Sequence, residues 1–323
     1  MDAAHNRTER EINKLSRRIG RVYGKAYSES RKTYERMLAE YSKERSEMLK
    51  ALDNTKEAKA QFDAWCERAS LKIQQQGRMV DQLAYDLTIT DVTAREMVDG
   101  VLPKVYAQNY NFSIGQIDAQ LVGKIPDGFE VSFTLVDEPT VRKLITENPR
   151  LLPIPDTVQK GTSKFSKAVA YNKRQITTAV TQGIIQGESI PKITKRIGAV
   201  YGHGANAATR YARTACTCAE NSGRLQSYYT AQEMGIDLNK EWMATGDERT
   251  RPTHLDADGQ EVPIDEPFIV GGTEMDEPGD PAGGGEAWNC RCSMRANVKG
   301  MKTSAAMMQH RAEIEAERNV RNG

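Results

Sequence analysis

The stretch from Trp242 to Cys292 constrains this 323-residue chain more than any other. It begins WMATGDERTRPTH, continues through DADGQEVPIDEPF and PGDP, and closes on WNCRC. Connections inside compact domains are normally a handful of residues long, and this one is neither short nor bland. Gly and Pro turns separate Asp247, Arg249, Arg251, His254, Asp256, Asp258, Cys290 and Cys292. A lobe with so little apolar mass has to be braced by polar contacts.

Two kinds of brace are written into it. If the residues from Asn289 to Met294 are extended, Cys290 and Cys292 point to one face of a strand, and His254 approaches from the preceding loop. Two thiolates and an imidazole are a soft ligand set that suits zinc, with Asp247 or Asp256 as a fourth ligand. The C-x-C spacing differs from the C-x2-C of the commonest zinc knuckles, and the plainer reading makes the cysteines small buried hydrophobes and His254 a hydrogen-bonding loop residue. The second brace is ionic. Asp247 opens a turn and accepts backbone N–H groups, while Arg249 and Arg251 offer planar forks to carboxylates. Between Ile236 and Trp288 there are fourteen Asp or Glu and three Lys or Arg, so every cation has an acidic neighbour within reach. An internal network of salt bridges and turns is therefore expected ahead of catalysis.

The order ARTACTCAENSGR, GDERTRPTH, DGQEVPIDEPF, PGDP and NCRC resembles the Mu F-like domain of tailed-phage minor head proteins, also called head morphogenesis proteins, over residues 175–298. The resemblance places the family's polar positions on Arg213, Asp247, Arg249, Arg251, His254, Asp258, Gly259, Pro278, Asp280, Pro281, Cys290, Arg291 and Cys292. Of these, Arg213, Asp247, Arg249, Arg251, Asp258, Asp280 and Arg291 are expected to form the structural polar network. Cys216 and Cys218 depart from the pattern. Two residues apart on a helix they diverge by about 200° and do not grip one ion.

A charged fraction of 28% against 38% apolar residues describes a water-compatible chain of about two domains. No apolar run approaches a membrane span, the start MDAAHNRTEREINK lacks a secretory signal's apolar core, and five Cys fit a reducing cytoplasm. The net charge of +1 conceals a division, because residues 140–230 carry fourteen Lys or Arg against four Asp or Glu. Clustered cations attract phosphate without reading sequence, so this region is a candidate surface for packaged DNA; the alternative is that it neutralises the acidic lobe.

The fold class expected is α+β, helical through the first half and middle, with a small loop-rich lobe. The division expected is a helical region 1–150, a Mu F-like domain 151–300 with basic helices 160–235 and polar lobe 236–298, and a charged helical or disordered tail 301–323. Apolar residues at helical spacing, Ile12, Leu15, Ile19 and Tyr23 and then Tyr34, Leu38 and Tyr41, predict one or two long helices before residue 60. A second helix follows to about Leu87, with Leu71 on its apolar side. Thr90 and Asp91 read as the N-cap of a third that ends at Gly100. Alternation of Phe129, Val131, Phe133 and Leu135 predicts a small strand-containing insert near 126–136. A turn at Tyr201–Gly204 is expected to separate two basic helices, with Gly235 ending the second and Arg213 reaching a carboxylate of the block.

HLDADG lacks the remaining ligands of an EF-hand, and P-loop, H-E-x-x-H and G-x-S-x-G motifs are absent from the sequence. The resemblance implies a non-enzymatic minor capsid protein of the virion head, synthesised in the host cytoplasm. Its implied partners are the portal protein and other head proteins, with contact to DNA that it helps deliver. The rival is a metal-dependent hydrolase or nuclease with His254, Cys290 and Cys292 as ligands and Asp247 or Asp256 as base.

Overall fold

The computed structural model describes residues 1–52, 55–75, 77–125, 131–153 and 158–302. The chain is α+β and mostly helical, its strands confined to the C-terminal third. Contacts divide it into two units, each made of segments distant along the chain. One comprises Met1–Lys14, Val98–Pro155 and Arg210–Gly323, the other Leu15–Met97 and Asp156–Thr209. That division has a simple cause: helix α1 (Ala3–Met37) and helix α8 (Ile190–Glu233) are each long enough to contribute to both.

The second unit is all helix. It contains the rest of α1 with α2 (Ala39–Lys50), α3 (Lys56–Gln75), α4 (Arg78–Asp99), α7 (Ser163–Ile185) and the first half of α8. Leu15, Ile19 and Tyr23 are buried, as the periodicity predicts, together with Leu83, Leu87, Ile176 and Ile197, whereas Leu71 is exposed. Two expected breaks are absent. Helix α4 runs unbroken through Thr90 and Asp91, because Thr90 Oγ1 donates to the Asp86 carbonyl one turn back, and Asp91 accepts from Tyr23 Oη at 2.5 Å and Asn172 Nδ2 at 2.9 Å. Helix α8 likewise passes through Tyr201–Gly204 without turning. A Cβ on Gly204 would lie 2.8 Å from the Tyr23 ring, so this glycine permits close helix packing instead of a chain reversal.

In the first unit, α5 (Leu102–Leu121) turns Ile114, Ile117 and Leu121 inward, and α6 (Glu138–Glu147) starts on Asp137, whose Oδ1 accepts the Thr140 N–H at 2.9 Å. The insert expected near 126–136 carries no strand over its described part, 131–136. The Val136 N–H and carbonyl are satisfied by the amide of Asn111, so no backbone pairing organises it; Val131 and Phe133 are half-buried against the core as the alternation predicts, but Leu135 is exposed. Residues 126–130 and the tail 303–323 lie outside the described residues.

The C-terminal lobe is built on β1 (Ile236–Met243), which pairs antiparallel with β2 (Glu261–Pro263) on one side and β5 (Ser293–Met301) on the other. Gly235, at φ 87°, ends α8 and turns the chain into β1. Along β1 the inward positions are Ile236, Leu238, Lys240 and Trp242. The polar Lys240 hides this alternation in the sequence. Its stem is buried, its Nζ donates to the Asp276 carbonyl at 2.8 Å, and its charge sits 5.0 Å from the Phe268 ring centre. Strands β3 (Phe268–Val270) and β4 (Thr273–Met275) form a hairpin across Gly271 and Gly272, both at positive φ as a tight hairpin turn demands.

Charged groups are buried in this unit as well. Arg224 on α8 is fully enclosed, donates to both Asp2 oxygens at 2.7 and 2.9 Å, to the Met294 carbonyl at 3.0 Å and to Glu220 at 3.2 Å. Glu220 also faces His5 at 3.0 Å and accepts from Ser293 Oγ at 3.0 Å. Burial alone would raise the Glu220 carboxyl, but His5 and Arg224 outweigh it and hold it below its ordinary value. Arg224→Met leaves Asp2 without its cation and Glu220 with His5 alone, so urea unfolding should show a loss of about 3–5 kcal/mol.

Glu277 behaves in the opposite way. Burial dominates, and although Ser222 Oγ donates to it, the nearby carboxylates Asp280 and Asp276 add to the rise, while Lys240 opposes it; the carboxyl reaches about 8. The fold therefore keeps a proton that the unfolded chain loses near 4.5, so this group's contribution to stability is full below about pH 4.5 and declines as pH rises through 8. Between pH 5 and 8, Glu277→Gln should flatten that decline in denaturant midpoints measured at matched ionic strength.

Candidate metal centre

Local structure explains how His254 and the two cysteines meet. Arg251 is extended, Pro252 opens the short helix α9 (Pro252–Asp256), and His254 is carried inward on it, 2% exposed. On the other side, Asn289 adopts φ 61°, which re-aims the chain into the extended run that enters β5. Three residues on one stripe of α8 hold that run by its backbone. Thr214 Oγ1 accepts the Asn289 N–H at 2.9 Å, Thr217 Oγ1 donates to the Cys290 carbonyl at 2.9 Å, and Asn221 Nδ2 donates to the Cys292 carbonyl at 3.2 Å. Their 3–4 spacing in ARTACTCAEN was the signal, and it reads in sequence as an ordinary polar helix face.

The result is a cluster whose ligand atoms, on His254, Cys290 and Cys292, all lie within 4.8 Å of one another. His254 Nδ1 is 3.3 Å from Cys292 Sγ and 3.7 Å from Cys290 Sγ. Zinc–sulfur and zinc–nitrogen bonds of about 2.3 and 2.05 Å at tetrahedral angles give a sulfur–nitrogen edge of about 3.6 Å, so the two separations bracket that value. The other ring nitrogen, Nε2, is 2.9 Å from Glu286 Oε2, the carboxylate-behind-histidine arrangement that orients a metal-binding imidazole. Sequence reasoning missed Glu286, which sits in the glycine-rich PAGGGE turn.

The electrostatics favour one thiolate shared between two sulfurs. A hydrogen bond from Cys290, then one from His254, lowers Cys292, to about 5, while the same neighbour and burial drive Cys290 up. Burial would lower His254, yet Cys292 and Glu286 together raise it. Without a metal the centre is a line of sulfur, imidazole and carboxyl groups held by hydrogen bonds. With one, it is a three-ligand site.

Neither proposed fourth ligand joins it. Asp247 is held by both nitrogens of the Arg291 fork and closes its own turn by accepting the Arg249 N–H at 3.0 Å and the Thr250 hydroxyl at 3.1 Å. Asp256 is exposed, on the outer side of α9. The remaining polar positions divide by role. Arg251 donates to the carbonyls of Glu286 at 3.2 Å and Trp288 at 2.5 Å, Asp258 accepts the Ala244 N–H at 2.7 Å, and Asp280 caps the turn at Ala282 at 2.8 Å. Arg213 pairs with Glu9 of α1 and not with the block, because its helix faces the N-terminal residues there. Arg249 is 79% exposed and only 3.9 Å from Asp247. Cys216 and Cys218 are buried on α8 outside the cluster.

In the basic region, several cations are answered internally among the described residues, Lys173 by Asp81 and Arg196 by Glu188 for example. Lys167, Lys192 and Lys195 are exposed and make no ion pair among the described residues. No described helix is long and apolar enough to cross a membrane.

A family model, Phage Mu protein F like protein, matches residues 174–295, a span that takes in the α8 stripe, α9, Glu286 and both cysteines. Over those residues the chain is similar to the Mu F-like family. Two curated proteins are similar to parts of the chain. The chain is 24% identical to the minor head protein of Bacillus phage SPP1 over 218 residues, which is 67% of this chain and 66% of that one. It is 31% identical to an NAD(+)–arginine ADP-ribosyltransferase of Enterococcus faecalis over 144 residues, 45% of this chain and 29% of that one. The chain thus spans less than two thirds of either relative. No solved structure matches it.

Asp247→Ala removes the carboxylate that closes the 247–250 turn and holds Arg291. Hydrogen exchange at Arg249 and Thr250 should accelerate, while the amides of β1 remain protected.

Proposed function

We propose that this protein is a minor component of a phage head, non-enzymatic, which binds the portal and other head proteins and contacts packaged DNA through its exposed basic helices. The observation that carries the reading is the 218-residue alignment with a minor head protein, together with the Mu F-like match. The alignment is longer than the C-terminal lobe, so the likeness is not confined to one motif. Lys167, Lys192 and Lys195 give the DNA contact its cations. Because such a contact is electrostatic, it needs no base-reading element.

The hydrolase reading depends on a base beside the three ligands. Asp247 is committed to Arg291, and Asp256 points away, so neither fills that role. The activity named for the Enterococcus relative stays with that protein, of which this chain covers 29%.

Pull-down from cells producing particles should recover portal protein, and mass spectrometry should find the chain in mature heads; absence from both overturns the assignment. For the DNA contact, Lys167→Glu, Lys192→Glu and Lys195→Glu together should weaken binding to duplexes of unrelated sequence equally. The logarithmic salt slope should fall by about 0.9 for each phosphate that is no longer neutralised.

A further inference from the structure

A cavity of about 140 Å³ opens beside the metal-ligand cluster. His254, Cys290 and Cys292 line it together with Arg249, Arg251 and Arg291. We propose that His254 Nδ1 and the two sulfurs hold a zinc ion whose fourth position faces this cavity and takes a phosphate-class oxyanion.

Three features lead there. The sulfur–nitrogen separations of 3.3 and 3.7 Å fit a tetrahedral edge, and a soft S₂N donor set selects zinc over the hard cations. Among the described residues the cluster has three members, and the nearest carboxylate, Glu286, lies against the far nitrogen of the imidazole, where it orients the ring and does not close the site. Two thiolates cancel the two charges of zinc, so the charge of a fourth ligand is answered by the guanidinium groups. Arg251 is bonded to backbone carbonyls, which leave its charge uncancelled, and Arg249 has only a distant share in Asp247, which Arg291 already grips. Arg249 is therefore the available planar fork, and planar forks match phosphate oxygens. Loading with zinc displaces the ligand protons to solvent.

The test uses the full chain. Elemental analysis of the purified protein should find one zinc per chain, lost in the Cys290→Ser, Cys292→Ser double variant. Cobalt(II) exchanged into the wild-type protein should give thiolate-to-cobalt charge-transfer bands and the intense visible bands of a tetrahedral ion, so the assignment does not depend on that variant folding. Absence of both zinc and the charge-transfer bands overturns the metal site. Inorganic phosphate titrated into the cobalt protein should shift the visible bands, and Arg249→Ala should retain cobalt but require about tenfold more phosphate. Bands indifferent to phosphate, or an unchanged midpoint in Arg249→Ala, overturn the oxyanion position.

Discussion

The enclosed guanidinium of Arg224 is the constraint around which the rest of its unit is arranged. A charge with no access to water has to be compensated within the protein, and the two terminal nitrogens of Arg224 meet Asp2, Glu220 and the Met294 carbonyl, while its buried Nε has no hydrogen-bond partner among the described residues. Those partners come from the first residues of the chain, from α8 itself and from β5. One side chain thereby ties the N-terminus to the helix and the helix to the sheet. Glu220, fixed in turn by His5 and Ser293, extends the tie, so that register along β5 is coupled to register along α8.

That coupling reaches the metal-ligand cluster. Thr214, Thr217 and Asn221 lie on the same helix as Arg224, and they position the backbone that presents Cys290 and Cys292. The histidine arrives from another direction, on a single-turn helix that Arg251 anchors to the Glu286 and Trp288 carbonyls. Groups drawn from α8, α9, the glycine-rich turn and the entry to β5 thus converge beside an apolar core that the lobe itself supplies, from Ile236, Leu238, Trp242, Ile264, Phe268 and Met294 among others. In that core the Trp242 ring lies edge-on to both Phe268 and His254, which buries the imidazole on one side.

Much of this was legible in the residues. Ile12, Leu15, Ile19 and Tyr23 marked the N-terminal helix, Gly235 marked the end of α8, and the block from Trp242 to Cys292 pointed both to its family and to a meeting of His254 with the two sulfurs. Other readings failed for identifiable reasons. Strand β1 was hidden because a lysine occupies one of its inward positions. The supposed cap at Thr90 and the supposed turn at Tyr201–Gly204 were local signals overruled by packing: a Thr hydroxyl bonds one turn back as readily as it caps, and a glycine admits a neighbouring ring as readily as it bends a chain. Arg213 found Glu9, far away in sequence, because its side of α8 faces α1.

By itself the sequence determined which chemistry was available: the helical periodicity, the turn residues of the terminal lobe, the soft donors, and the excess of cations between residues 140 and 230. Tertiary structure decided which of those groups meet. It put Glu286 behind His254, gave Asp247 to Arg291, took Asp256 out to solvent and left Arg249 uncommitted. Ligand type is a property of a residue, whereas separation and charge compensation belong to pairs of residues distant along the chain. Only the closed fold sets those distances.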